Sequence, residues 1–179
     1  RDSPGTCHSG RIQTMTSIEI RVLGSTGIED HHAHLLRLDP AARALRLATG
    51  TDDQGIDGHC LRLIGAQAIL VGAYCNDTLR AGLEIIPDRT AREAEAIFTA
   101  EPAFYTPGIA RMLLARMFDE ARRYRLTRLS LRGFDDIALL DRMAEAYFVE
   151  IVPGSPVRLS FAPALAATTA TPQLAHGYA

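Results

Sequence analysis

The stretch Ala94-Glu-Ala-Ile-Phe-Thr-Ala-Glu-Pro-Ala-Phe-Tyr-Thr-Pro-Gly-Ile-Ala-Arg-Met-Leu-Leu114 decides the fold. Its first six residues, Ala94 to Thr99, are short, apolar and rich enough in β-formers to predict a strand. The segment Glu101 to Pro107 carries two prolines and two aromatic residues, the composition of a loop. From Gly108 to about Tyr124, Ile109, Met112, Leu113 and Met117 recur at helical spacing, which predicts an amphipathic helix burying those four. A strand, a tight loop and a helix entered through Pro and Gly place backbone N–H groups at a helix N-terminus, where the helix dipole favours an anion.

Working outward, residues 17–23 alternate polar and apolar side chains as a half-buried strand does. Ile28, Leu35 and Leu38 sit at helical spacing behind a cap at Ser25 or Thr26, and Asp39-Pro40 ends that helix. Ile56, Cys60, Leu63 and Ile64 predict a second helix over 56–64, with Asp52, Asp53 and Asp57 marking its start; the later ligands and bidentate Glu of a calcium loop are missing. Residues 68–74 and 80–86 flank Asn76-Asp77 as an antiparallel hairpin. Beyond the central helix, 126–131 read as a strand, 135–146 as a helix and 148–152 with 157–161 as closing strands. Residues 1–16 are expected to be a flexible extension, 17–162 one folded unit, and the Ala/Thr/Pro-rich 163–179 a mobile tail.

The 179 residues and 19.5 kDa suit one domain that buries roughly two-thirds of its extended surface. A net charge of −2 gives no reason to expect nucleic-acid binding. Lysine is absent, so acetylation of the chain's own lysines is excluded. Three widely spaced cysteines, Cys7, Cys60 and Cys75, suggest neither a disulfide framework nor a zinc site, and a cytoplasmic setting is the expectation. Apolar runs are too short to span a bilayer. His31, His32 and His34 lack the i, i+4 offset of helical chelation, so they are expected to be solvated and no metal is expected. No nucleophile elbow, phosphate-binding P-loop or dinucleotide fingerprint occurs.

The 94–114 segment, followed by helix, strand, helix and strand, resembles the central part of the GNAT acyltransferases. In weaker form the resemblance runs from about Ile18 to Phe161 and includes His34-Leu-Leu-Arg-Leu-Asp-Pro40. It implies an α/β (α+β) fold, a mixed but mostly antiparallel central sheet flanked by helices. The family enters its helix through Arg/Gln-x-x-Gly-x-Gly/Ala; here those six positions are Tyr105-Thr106-Pro107-Gly108-Ile109-Ala110. Tyr105 replaces the usual Arg or Gln, and Pro107 removes an N–H that would face phosphate. The backbone donors of Gly108, Ile109, Ala110 and Arg111 are expected to remain.

The activity the resemblance implies is transfer of an acetyl or other acyl group from acyl-CoA to an amine. The acceptor would be a small molecule or peptide, with acetyl-CoA or another acyl-CoA held along Ile97, Phe98 and Thr99 and at the Tyr105 to Arg111 loop. Such transfer needs a base for the amine proton and a donor for the leaving thiolate. Glu95 on the central strand is the favoured base and Glu84 the runner-up. The family's late-helix Tyr falls on Met143, leaving the proton to Tyr147, Tyr105 or solvent. Asp136 stands where the family has a cofactor-contacting Asn, a position helix capping explains equally well. The departures at Tyr105, Pro107 and Met143 motivate a second reading, a non-catalytic GNAT-fold binding or regulatory module working as a homodimer. A third is a structural partner protein docking through its apolar tail, Phe161 to Leu174.

Overall fold

The computed structural model describes residues 17–24, 27–47, 52–88 and 90–161. Seven strands form one sheet in the order β1-β2-β3-β4-β5-β7-β6, with β1 at Ile18–Leu23, β2 at Ile69–Cys75, β3 at Thr78–Asp88, β4 at Glu93–Ala100, β5 at Arg128–Arg132, β6 at Val149–Val152 and β7 at Val157–Phe161. All neighbouring strands run antiparallel except β4 and β5, which are parallel. This is the mostly antiparallel sheet the resemblance implies. The β2–β3 turn is made by Asn76 and Asp77, both at positive φ (50° and 56°), the backbone that a two-residue hairpin requires and that Asn and Asp tolerate.

Among the described residues, five α-helices flank the sheet: α1 (Ile28–Arg37), α2 (Pro40–Arg46), α3 (Asp53–Gly65), α4 (Pro107–Arg123) and α5 (Ile137–Ala146). The predicted caps Ser25 and Thr26 lie outside the described residues, and Gly27 stands at the N-cap of α1. Asp39-Pro40 ends α1 as expected but also starts α2, which was not expected: the Asp39 carboxylate accepts from the Ala42 N–H at 2.8 Å, and Pro40 at the first helical position sacrifices no bonded N–H. The acidic pair before α3 is a helix start, with Asp52 accepting from the Gly55 N–H at 2.9 Å.

Alternation along the strands divides the sheet into two faces. Val71, Ala73, Ala81, Leu83, Ile85, Ala94, Ala96, Phe98, Leu129 and Leu131 form one core with Ile109, Leu113, Leu114, Met117 and Phe118 of α4 and Leu140 of α5. Met112, expected inside, stays 37% exposed on α4. A second cluster, Leu35, Leu38, Leu47, Ile56 and Cys60, is built by α1, α3 and the segment between them. Beneath it the opposite face of β3 and β4 presents Gly82, Glu84, Ile97 and Thr99.

Candidate functional site

Two places combine polar groups with defined geometry: the entry to α4, and a buried network under α1 and α3. At the first, β4 pairs with β5 only as far as Ile97↔Arg132, while Phe98, Thr99 and Ala100 continue alongside β3. The parallel strands therefore part beyond Ile97. The Phe98 ring fills the wedge, edge-on to Tyr105 (centroids 5.7 Å apart) and to Phe134 (5.4 Å), and the Tyr105 hydroxyl accepts the Asp135 N–H at 3.1 Å. Tyr105 thus ties the β4–α4 connection to the β5–α5 connection. The side chains of Ile97, Phe98 and Thr99 are at most 1% exposed, so a ligand could meet only their backbone edge.

The first turn of α4 is largely self-satisfied. Thr106 is the N-cap: its hydroxyl accepts from the Ile109 N–H at 3.4 Å and its carbonyl from the Ala110 N–H at 2.9 Å. The expected set of four open donors is corrected accordingly. Ala110 is committed to the helix ladder, as Arg111 is by its place one residue further in, and Ile109 is weakly held. Gly108 keeps an amide with no hydrogen bond among the described residues, and beyond its chain neighbours and its own helix backbone no atom lies within 4 Å of where its Cβ would be. An anion there would meet the Gly108 amide, the Thr106 hydroxyl and the positive end of the α4 dipole. Asp136 caps α5, accepting from the Leu139 N–H at 2.9 Å.

Glu95 lies opposite Ser130 on the parallel pair, one-third exposed, with the Arg132 guanidinium 2.5 Å from its carboxylate. Its neighbours Ala94 and Ala96 point into the α4 core, so Glu95 projects from the other face. Tyr147 does not join it. That ring stacks on Phe118 of α4 with centroids 4.9 Å apart and lies under Arg122, across the sheet from Glu95 and ten residues, about 15 Å, along α4 from Gly108. The expected pairing of Glu95 and Tyr147 as base and acid is not assembled. Met143, at the family's tyrosine position, is a buried core residue.

The second place was not foreseen. His31 and His34, expected in solvent, are 1% and 0% exposed, and with His59, Glu84 and Thr99 they form a polar layer between α1, α3 and the sheet. Glu84, the runner-up base, is wholly enclosed. His31 Nε2 lies 2.7 Å from its Oε1, and His59 Nε2 lies 2.9 Å from both of its oxygens. Burial opposes the charge on Glu84, but the hydrogen bonds from the two imidazoles outweigh it and hold the carboxyl well below its usual range. Arg62 donates to His59 Nδ1 at 2.8 Å, which places the His59 proton on Nε2.

His34 Nε2 meets the Thr99 hydroxyl at 3.0 Å, and that hydroxyl donates onward to the Gly82 carbonyl. His34 Nδ1 is buried without a hydrogen bond, 3.7 Å from a Glu101 carboxylate held by Arg37 and Arg80. Burial first, then the charges of His31 and Arg37, push His34 down to about 3, against the pull of Glu101. Only His32 behaves as expected, partly exposed and 2.7 Å from Asp57. The missed signal was helical spacing: His31, His34, Leu35 and Leu38 share the face of α1 that packs inward.

Among the described residues no helix is long and apolar enough to cross a membrane. No protein-family model and no curated protein matches the chain by sequence. Solved structures do match its fold. The GNAT domain of PAT from S. lividans is 15% identical with a TM-score of 0.58, over 79% of this chain and 88% of that one. An acetyltransferase of the GNAT family from Streptococcus pneumoniae is 13% identical with a TM-score of 0.54, over 80% and 96%. The PaiA N-acetyltransferase from Thermoplasma acidophilum, solved in complex with coenzyme A, is 15% identical with a TM-score of 0.51, over 81% and 99%. At such identities the likeness is one of fold.

Proposed function

We propose that this chain, which has the GNAT fold, is an N-acyltransferase that moves an acetyl or other acyl group from acyl-CoA to an amine of a small molecule or peptide. The observation that carries this is the parting of β4 from β5 beside an open helix mouth. The unpaired edge of β4 over Phe98–Ala100 can take the amide groups of an extended pantetheine arm, and Gly108 with Thr106 can take its diphosphate. A fold neighbour solved in complex with coenzyme A supports a ligand of that class. In the reaction the neutral amine attacks the thioester carbonyl, a C–N bond replaces the C–S bond, Glu95 receives the amine proton through water, and the thiolate is protonated by solvent. We assign the activity to residues 17–162 and the protein to the cytoplasm, where the buried free thiols of Cys60 and Cys75 would stay reduced.

Pro107, the self-capping Thr106 and the Tyr105–Asp135 tie favour a second reading, a GNAT-fold binding module without turnover. Titrating acetyl-CoA and free CoA into the full chain, with thermal shift alongside, separates the two. Micromolar binding is expected, lost in Gly108→Glu, which sets a carboxylate at the anion site in space that can hold it. Pro107→Ala, which restores an N–H, is expected to tighten binding. No binding at millimolar ligand rejects acyl transfer. With an accepted amine in hand, Glu95→Gln is expected to lower kcat about 100-fold with little change in cofactor affinity; an unchanged kcat removes Glu95 as the base.

A further inference from the structure

We infer that His31, His59 and Glu84 form a binding site for one divalent transition-metal ion of the zinc class. The three residues come from α1, α3 and β3, so nothing local brings them together, yet their ligand atoms all lie within 4.8 Å of one another. Both Nε2 atoms converge on the same carboxylate oxygen, at 2.7 and 2.9 Å. Two imidazole nitrogens and one carboxylate are a donor set that suits zinc and its borderline neighbours and ill suits magnesium or calcium, which take all-oxygen shells. All three side chains are at most 2% exposed, so bulk water does not compete for the donors. Around an ion with bonds of about 2.0–2.2 Å, tetrahedral ligand atoms stand about 3.3 Å apart, so each histidine would draw back from the Glu84 oxygen by about half an ångström.

Arg62 sets the terms of loading. As it stands, its guanidinium donates to His59 Nδ1 and keeps the proton on Nε2, the atom that would bind the ion. On loading, that proton moves to Nδ1 and Nε2 turns its lone pair to the metal. Arg62, left facing an N–H, swings into the solvent that already borders it. His31 Nε2, 2.7 Å from Glu84 Oε1, must likewise be free of its proton to bind the ion, and the ion's charge is met in part by Glu84. The bound ion clamps α1 and α3 onto β3. Because β3 residue Glu84 lies opposite Ile97, the clamp also steadies the strand that carries Glu95 and parts from β5. Nothing in this depends on acyl transfer.

The experiment is metal analysis of the purified full chain, followed by Zn2+ titration against a competing chelator, with Mg2+ as the control ion. One equivalent of zinc is expected, with a rise in Tm that Mg2+ does not produce. Arg62→Ala, a change on an exposed turn of α3, is expected to tighten zinc about tenfold, and Glu84→Gln to weaken it at least 100-fold. Should Glu84→Gln fail to fold, the comparison of wild type with Arg62→Ala decides by itself. Absence of bound zinc, or zinc held equally well by wild type and Arg62→Ala, overturns the inference and leaves a hydrogen-bonded trio. Zinc captured by the partly exposed His32 and Asp57 would give that second result.

Discussion

Phe98→Ala is expected to cost about 3–5 kcal/mol of stability and to lower Tm by roughly 10 °C, the largest effect of any single truncation near the α4 entry. Phe98 is 0% exposed and packs in the core shared by the sheet and α4. Its ring also meets Tyr105 and Phe134 edge-on, filling the wedge where β4 leaves β5. Truncation removes the transfer energy of the ring and leaves a cavity that two loops, held by Tyr105 and Asp135, cannot readily close. Tyr105→Phe, which deletes only the hydroxyl accepting the Asp135 N–H, is expected to cost about 1 kcal/mol. Urea unfolding of the two variants tests this: a Phe98→Ala loss below about 1 kcal/mol would show that the wedge is not part of the core.

Acidification is expected to destabilise the protein through His34, beginning below about pH 6.5. The group is fully buried, faced by His31 and Arg37 from α1, Thr99 from β4 and Glu101 beyond it, and is pushed down to about 3. In the unfolded chain it titrates near 6.5. Between those two values the unfolded state binds the extra proton, so stability falls as pH falls through that window and is fully present above it. By pH 5 the loss from this one group is roughly 2 kcal/mol. His34→Gln can still donate to Thr99 but cannot titrate, so its stability should change less between pH 7 and pH 5 by about that amount. Equal slopes for wild type and His34→Gln would mean that His34 takes up its proton without unfolding the layer.

The element pattern was legible in the residues because it rests on local periodicity. The alternation at 17–23, the Asn76-Asp77 turn and the apolar spacing of 108–124 each specify an element without help from the rest of the chain. The α2 helix was missed because Asp39-Pro40 reads equally as a stop and as a cap followed by a proline at the first helical position. At the α4 entry, the sequence showed that Pro107 withholds an amide. It did not show that Thr106 occupies Ile109, nor that the Tyr105 hydroxyl is bound across the wedge by Asp135, because both depend on where a side chain points.

Composition and spacing alone therefore determined the strands, the helices other than α2 and the apolar stripe of α4, while the departures of the Tyr105–Ala110 loop came from the resemblance to the GNAT pattern. Only the tertiary structure decided which polar residues meet. His31, His59 and Glu84 are 28 and 25 positions apart along the chain, and no periodicity links them. Packing α1 and α3 on one face of β3 brings them within hydrogen-bonding distance. The same sheet keeps Tyr147 and Glu95 apart, on opposite faces, although both stand at positions that the family resemblance singles out. The physical reason is range: periodicity reports the face a residue occupies on its own element, whereas a site is made by which faces of different elements are pressed together.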